Sequence, residues 1–126
     1  MTNPTAKNYD LKTMSKVITS TVASLGLGAV PTAMKRYVTF ISMNNTTLQQ
    51  NVLYICSAAS SATTTTPTLA SAAAKYSRQL EVTETDQLPR GSPDPEHPLF
   101  SIAAGAYMNA LTSKGTCRLF MQYYDQ

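Results

Sequence analysis

The residues that could do chemistry are few and lie far apart in the chain. Cys56 and Cys117 are the two cysteines, and His97 is the single histidine among 126 residues. A catalytic nucleophile needs a base within hydrogen-bonding distance and a group that orients that base. His97 lies between Glu96 and Pro98 in a proline-rich segment that offers neither. We therefore expect a solvated loop histidine, two small buried thiols and no catalytic site.

The acidic residues do not have the spacing of a cation site. Several carboxylates lie near two predicted loops, and carboxylate oxygens are ligands that calcium prefers, but the order of an EF-hand loop is missing. These carboxylates are Glu84, Asp86, Asp94 and Glu96. Two cysteines and one histidine are too few for a structural zinc site. No P-loop is present, and Gly26 and Gly28 lack the third glycine of a dinucleotide-binding turn. We expect no metal and no cofactor.

The composition favours a protein that associates with other copies of itself. Charged residues make up 13% of the chain, whereas ordinary domains carry about 25%. Hydroxyl side chains replace the missing charge, with 18 Thr and 12 Ser. Because a surface with few charges tends to associate, we predict a homo-oligomer. A monomer with a hydroxyl-rich exterior is the alternative.

Basic residues are concentrated in the first 60 positions, although the net charge is only +3. This basic set could face a nucleic acid or an acidic neighbour, and it contains Lys7, Lys12, Lys16, Lys35 and Arg36. Nucleic-acid binders usually carry dense basic clusters, whereas these five residues are spread out. A nucleic-acid-contacting coat protein is therefore a minor alternative. No signal peptide and no apolar run long enough for a membrane span are evident, so we expect neither secretion nor a membrane partner.

The pattern of apolar residues predicts an all-β fold. The stretch 36–56 contains two β-rich segments around a polar turn at 44–51, which is typical of a hairpin. Further strands are predicted at 79–83, where Leu80 and Val82 would be buried, and at 116–124 after a hairpin turn at 113–115. Strands are preferred over a helix for 100–111. One short helix is predicted at 69–76, after a possible cap at Thr68.

These elements predict a single β-sandwich or jelly-roll-like domain. We assign residues 1–33 to an extended N-terminal arm, within which 16–22 could form a first strand, and residues 34–126 to the sandwich. The segment 88–99 has four prolines, so it can form neither a helix nor a regular ladder strand. We interpret it as a contact arm for a partner, with a plain surface loop as the alternative.

Tyrosines and the proline-rich segment supply the predicted contact residues. Tyrosine buries a large area with little loss of conformational entropy and is enriched at interfaces. The predicted interface residues are Tyr37, Pro93, Pro95, His97, Tyr107, Tyr123 and Tyr124.

The combination of a Ser/Thr-rich chain, a loose arm and β-hairpins resembles small structural proteins of tailed-phage virions. The resemblance is carried by the runs KRYVTFI at 35–41, VLYI at 52–55, IAAGAY at 102–107 and GTCRLFMQYY at 115–124. Capsid decoration proteins, also called cement proteins, are the group it is most similar to. The resemblance implies a non-enzymatic β-rich protein that binds a capsid lattice, often as a trimer.

The leading hypothesis is thus a virion protein that assembles into or decorates a capsid or tail. It would be made in the host cytoplasm and would contact neighbours through strands and arms. A glycan-binding or host-surface-binding sandwich is the main alternative, and it predicts exposed tyrosines clustered at one end of the domain.

Overall fold

The computed structural model describes residues 9–58 and 74–126, which form two packed antiparallel sheets. The strands, in chain order, are β1 (Lys12–Ile18), β2 (Ala23–Ser24), β3 (Arg36–Asn45), β4 (Asn51–Ala58), β5 (Ala74–Leu80), β6 (Thr85–Leu88), β7 (Phe100–Ile102), β8 (Tyr107–Thr112) and β9 (Cys117–Asp125). The described residues contain no helix. The predicted all-β class and the two-layer sandwich are confirmed.

Each sheet draws its strands from distant parts of the chain. Sheet A has the order β1-β9-β3-β6. The short strand β7 pairs with the first half of β3, and β6 pairs with the second half. Sheet B has the order β2-β8-β4-β5. β3 and β9 form the longest ladder, with a register that runs from Arg36 opposite Asp125 to Asn45 opposite Cys117. This ladder forms the centre of sheet A.

The core lies between the two sheets and is built from alternate residues of their long strands. Ile41 and Met121 from sheet A, and Leu53 and Ile55 from sheet B, are fully buried. A second cluster lies on the other face of sheet B, where Tyr54, Cys56 and Leu111 are buried. β4 is therefore covered on both faces within one chain, as its apolar residues on both faces predicted.

The two predicted hairpins are wrong, although the strands on either side of each turn exist. β3 belongs to sheet A and β4 to sheet B, so the chain crosses from one layer to the other at 46–50. The turn at 113–116 likewise leads from β8 in sheet B to β9 in sheet A. Residue alternation predicts a strand but not its partner, and here the strand partners are distant in the sequence.

Two buried asparagines hold these crossings in place. Asn45 Nδ2 donates to the carbonyls of Gln49 and Glu81 at 2.9 and 2.8 Å. Asn51 Oδ1 accepts a bond from the Lys114 backbone N–H at 2.9 Å. Since both side chains are only 1% exposed, their hydrogen bonds replace those that water would have made.

A β-bulge at Thr39 changes which residues of β3 point inward. The register with β9 shifts between Val38 and Phe40, and one extra residue in a strand reverses the alternation after it. Val38 and Ile41 are therefore both fully buried, whereas Phe40 is partly exposed. Plain alternation would put Val38 and Phe40 on one face of the strand, but the bulge places them on different faces.

The predicted boundary at residue 33 conflicts with the pairing of the strands. β1 forms a seven-residue ladder with β9, and β2 pairs with β8. Ile18, Leu25 and Val30 are buried in the core between the sheets. From residue 12 onward the predicted arm is thus part of the sandwich, because its scattered apolar residues complete the core.

The middle of the chain departs from prediction in three details. The predicted helix at 69–76 lies largely outside the described residues, but its last residues belong to β5. Leu80 is buried as expected, whereas Val82 is 49% exposed in the turn after β5. The preference for strands over 100–111 is confirmed by β7 and β8, which a turn separates.

Candidate functional site

His97 and the two thiols are not brought together. His97 Nδ1 lies 2.7 Å from Asp94 Oδ2, and its side chain is 80% exposed. Hydrogen bonding to Asp94 raises the pKa of His97 and lowers that of Asp94. Cys56 and Cys117 are buried, and desolvation raises the pKa of each thiol to about 11. Both thiols are thus protonated near neutral pH, where only the thiolate is a good nucleophile.

The acidic residues pair with basic neighbours instead of converging on one point. Arg78 Nη2 lies 2.7 Å from Asp86 Oδ2 and 3.8 Å from Glu84 Oε2. Within the described ranges, no three His, Cys, Asp or Glu side chains are grouped as a metal site would require.

The predicted basic set is divided by the structure. Lys7 lies outside the described residues, whereas Lys12, Lys16 and Lys35 are exposed. Arg36 is 3% exposed and does not belong to a basic surface, which corrects its predicted role. Its apolar neighbours in sequence suited a strand, but nothing in the sequence indicated which acid would pair with it.

The buried Arg36 guanidinium donates three hydrogen bonds. Its Nε and Nη2 donate to the two carboxylate oxygens of Asp125 at 2.8 and 3.0 Å, and Nη1 donates to the Gly28 carbonyl at 3.2 Å. The guanidinium carbon also lies 5.1 Å from the centre of the Tyr123 ring. Arg36 is thus a structural residue that joins the start of β3 to the end of β9.

The predicted interface tyrosines fall into three places. Tyr37 and Tyr124 are register partners in sheet A, and their rings stack with centres 5.1 Å apart. Tyr123 points to the opposite face of β9 and is part of the core, while Tyr107 lies at the end of β8 in sheet B. Only Tyr37 and Tyr124 of the predicted tyrosines therefore lie together.

Tyr9 joins this pair, which the sequence did not predict. Its ring centre is 4.7 Å from that of Tyr124. These three rings, with Glu96, Pro98 and Gln126, line an open pocket of about 290 Å³, which we call the tyrosine pocket. The only sequence signal for Tyr9 was a lone aromatic in a polar segment.

The proline-rich segment folds back onto its own chain. It leaves sheet A after β6 and returns at β7, so both of its ends flank β3. The Tyr124 hydroxyl donates to the Pro95 carbonyl at 2.7 Å, and the Leu99 N–H donates to the Val38 carbonyl at 2.8 Å. Pro93 and His97 remain exposed. The segment is anchored at two points without a partner chain.

β1 forms the edge of sheet A opposite to β6, and exposed apolar side chains lie at this edge. In the described part of the chain, β1 pairs with β9 and with no other strand. Val17 is 54% exposed and Phe120 is 39% exposed. They line a shallow hollow of about 450 Å³ together with Ser15, Lys16, Ser42, Asn44, Arg118 and Leu119. We call this region, with Lys12, the β1 edge.

The two edges of sheet A differ in charge. The β1 edge carries Lys12 and Lys16, and Lys16 Nζ donates to the Ser24 carbonyl at 2.8 Å. At the other edge, the turn from β5 to β6 and the start of β6 carry three acids, which Arg78 balances only in part. These acids are Glu81, Glu84 and Asp86, and we call this region the β6 edge.

Comparisons with protein-family models, with curated proteins and with solved structures each gave no match. Over the described ranges there is no helix of the length and apolarity needed to cross a bilayer.

Proposed function

We propose that the protein is a non-enzymatic structural subunit of a virus particle, whose copies join through opposite edges of sheet A. The observation that carries this proposal is the β1 edge, where a seven-residue strand has one ladder partner among the described residues, carries exposed Val17 and lies beside exposed Phe120. Unpaired strand edges bind further strands through backbone hydrogen bonds, and exposed apolar groups add burial to that contact.

Charge selects the partner edge. Two copies of the β1 edge would bring Lys12 and Lys16 of each copy close together, and lysines on an edge strand oppose such pairing. The β6 edge of a second copy instead presents Glu81 and Glu84 to these lysines. Opposite charges at the two sides of a contact favour the matched orientation and suppress the wrong one. The contact is therefore head to tail.

A head-to-tail contact suits the assemblies that virus particles need. Because the two surfaces in contact differ, each added copy leaves one β1 edge and one β6 edge free. Such contacts close into rings or continue as extended arrays. A shell layer or a tail ring is built from contacts of this kind, and the trimer that the resemblance implies would be the smallest ring.

The assignment to a virion is also supported by the composition and by the sequence resemblance. Charge is low and hydroxyl side chains are abundant, which limits repulsion when copies lie side by side. The strand segments resemble those of small capsid decoration proteins. The proposed location is the virus particle, with a capsid or tail lattice as the partner.

Charge reversal at the β1 edge tests the proposal. Lys12→Glu with Lys16→Glu should lower the weight-average mass measured by light scattering, because acids would then face acids. Lys35→Glu is the matched control, since Lys35 is exposed but lies outside this edge. Wild-type association should also weaken with added salt, because exposed charges are screened. A wild-type protein that stays monomeric at high concentration would overturn the proposal.

A further inference from the structure

The tyrosine pocket combines aromatic walls with one carboxylate. Tyr124 contacts both other rings, at 4.7 Å from Tyr9 and 5.1 Å from Tyr37. Its hydroxyl is fixed by the bond to the Pro95 carbonyl, so the central ring cannot turn away. Tyr9 and Tyr37 are only partly buried and remain accessible at the mouth. The central ring is thus held in place before any ligand arrives, and the other two rings pack against it.

The lining of the pocket carries one charged group, a carboxylate. Glu96 is the one charged side chain in the lining, and it is exposed. The nearby Arg36 guanidinium is bonded to both oxygens of Asp125 and lies against Tyr123, which is on the core side of β9. His97 is bonded to Asp94. Neither Arg36 nor His97 lines the pocket, so Glu96 has no basic partner among the lining residues.

Tyrosine faces carry negative electrostatic potential, and organic cations bind within about 6 Å of such rings. A carboxylate beside the rings adds an acceptor for charge-assisted N–H bonds. The volume of about 290 Å³ is large enough for a small organic group. We propose that the tyrosine pocket binds an organic cation of the guanidinium or alkylammonium class, with Tyr9 and Tyr37 as aromatic walls and Glu96 as the counter-ion.

This binding site goes beyond the proposed assembly and does not depend on it. The pocket is lined by residues of β3, β9 and the proline-rich segment, by Tyr9 before β1 and by Gln126 after β9, whereas the proposed contact uses the β1 and β6 edges. The cation could be a free small molecule or the side chain of an Arg or Lys on another chain. Both have the same chemistry at the pocket, and the experiment below separates them.

The test is a titration with ethylguanidinium, followed by two-dimensional NMR and by calorimetry. Ethylurea, its neutral counterpart of nearly the same shape, is the matched probe. We expect ethylguanidinium to shift the signals of Tyr37 and its neighbours with saturation in the millimolar range, and ethylurea to leave them unchanged. Equal shifts from both probes would overturn the proposal, because charge would then play no part.

Substitutions in the pocket show which residues bind ethylguanidinium. Glu96→Gln should weaken ethylguanidinium binding about five- to tenfold, as expected when one charge-assisted contact is lost, and Tyr37→Leu should weaken it similarly. Glu81→Gln removes an acid of the β6 edge, outside the pocket, and should leave the affinity for ethylguanidinium unchanged. Unchanged binding by Glu96→Gln would overturn the proposal, as would binding of a neutral hexose at Tyr37 without binding of the cation, which would indicate a carbohydrate site.

Light scattering of the wild-type protein with ethylguanidinium added shows whether the natural cation is a free molecule or a side chain of another copy. If the side chain of another copy fills the pocket, ethylguanidinium chloride competes and lowers the mass below its value in sodium chloride of the same concentration. If the natural occupant is a free cation, the two salts give the same mass while the NMR signals still shift with ethylguanidinium. Repeating the titration on Lys12→Glu with Lys16→Glu keeps this site separate from the edge contact, because the pocket is intact in that variant.

Discussion

Arg36 and Asp125 illustrate how single residues fix this sandwich. Their side chains are 3% and 9% exposed, and two hydrogen bonds join them where β3 begins and β9 ends. A buried ion pair adds little over an apolar pair, but removal of one partner leaves an uncompensated charge. We therefore expect the pair to favour the observed register of β3 with β9, in which Arg36 lies opposite Asp125.

We expect Asp125→Ala to lower the free energy of unfolding by about 3–5 kcal/mol, because Arg36 would remain buried without its counter-ion. Chemical denaturation measures this change. Asp125→Ala combined with Arg36→Met should recover most of the loss. A loss below about 1 kcal/mol for the single variant would mean that Arg36 finds water or another acceptor.

Gly115 gives a second prediction at this scale. Its φ is +61°, and an added Cβ would overlap Thr47 Oγ1, which accepts the Thr116 N–H bond at 2.7 Å. Gly115→Ala should therefore cost about 1–3 kcal/mol, since both the backbone and the contact are strained. Gly91→Ala is the control, because Gly91 has no neighbour within 4 Å and no positive φ. Equal unfolding midpoints for the two variants would contradict this account.

His97 and Asp94 give a prediction about pH. Hydrogen bonding to Asp94 raises the pKa of His97 above its usual value and lowers the pKa of Asp94. The pair therefore stabilises the fold most between these two pKa values. Its contribution is lost as pH rises through the folded-state pKa of His97, and also as pH falls through that of Asp94. In an NMR titration, Asp94→Asn should lower the pKa of His97. An unchanged pKa would show that the bond is absent in solution.

At the scale of elements, the sequence predicted which segments are strands better than which strands pair. β3, β4 and β9 were recognisable because β-branched and aromatic residues alternate there. Their partners were not, since the turns at 46–50 and 113–116 have hairpin chemistry but connect different sheets. β1 was predicted only as a possible strand at 16–22 within the arm, because its lysines hide the alternation of Met14 and Ile18.

The functional surfaces were predictable only in part, for the same reason. Tyr37 and Tyr124 were named as contact residues, but they are 87 positions apart in sequence and only the register of β3 with β9 makes them neighbours. The carboxylate that pairs with Arg36, and the approach of Tyr9, depend equally on pairing of distant segments. Residue type indicates which interactions a side chain can make, whereas the pairing of strands determines which residues are its neighbours.

The β1 edge makes a prediction about one element. Val17→Ser removes an exposed apolar side chain at this edge, so it should weaken self-association several-fold. It should change the free energy of unfolding by less than about 0.5 kcal/mol, as is usual for surface changes. Leu48→Ser is the matched control, because Leu48 is 84% exposed in the turn after β3, outside this edge. Equal effects on sedimentation from both variants would argue against a specific contact.

For the whole molecule, we expect folding not to depend on the proposed assembly. The leading segment supplies Ile18, Leu25 and Val30 to the core, and the proline-rich segment is anchored by Tyr124 and Val38. Over the described residues, both segments are thus packed onto their own chain. The subunit should therefore keep its fold on dilution, while assembly changes with concentration and salt.

The most direct test of the central claim mixes two variants with reversed edges. Lys12→Glu with Lys16→Glu reverses the β1 edge, and Glu81→Lys with Glu84→Lys reverses the β6 edge. Circular dichroism and thermal unfolding confirm beforehand that both variants are folded. In sedimentation velocity, each variant alone should be monomeric, and an equimolar mixture should associate as the wild type does, because every junction is again complementary. A mixture that stays monomeric while the wild type associates would contradict head-to-tail joining of these two edges.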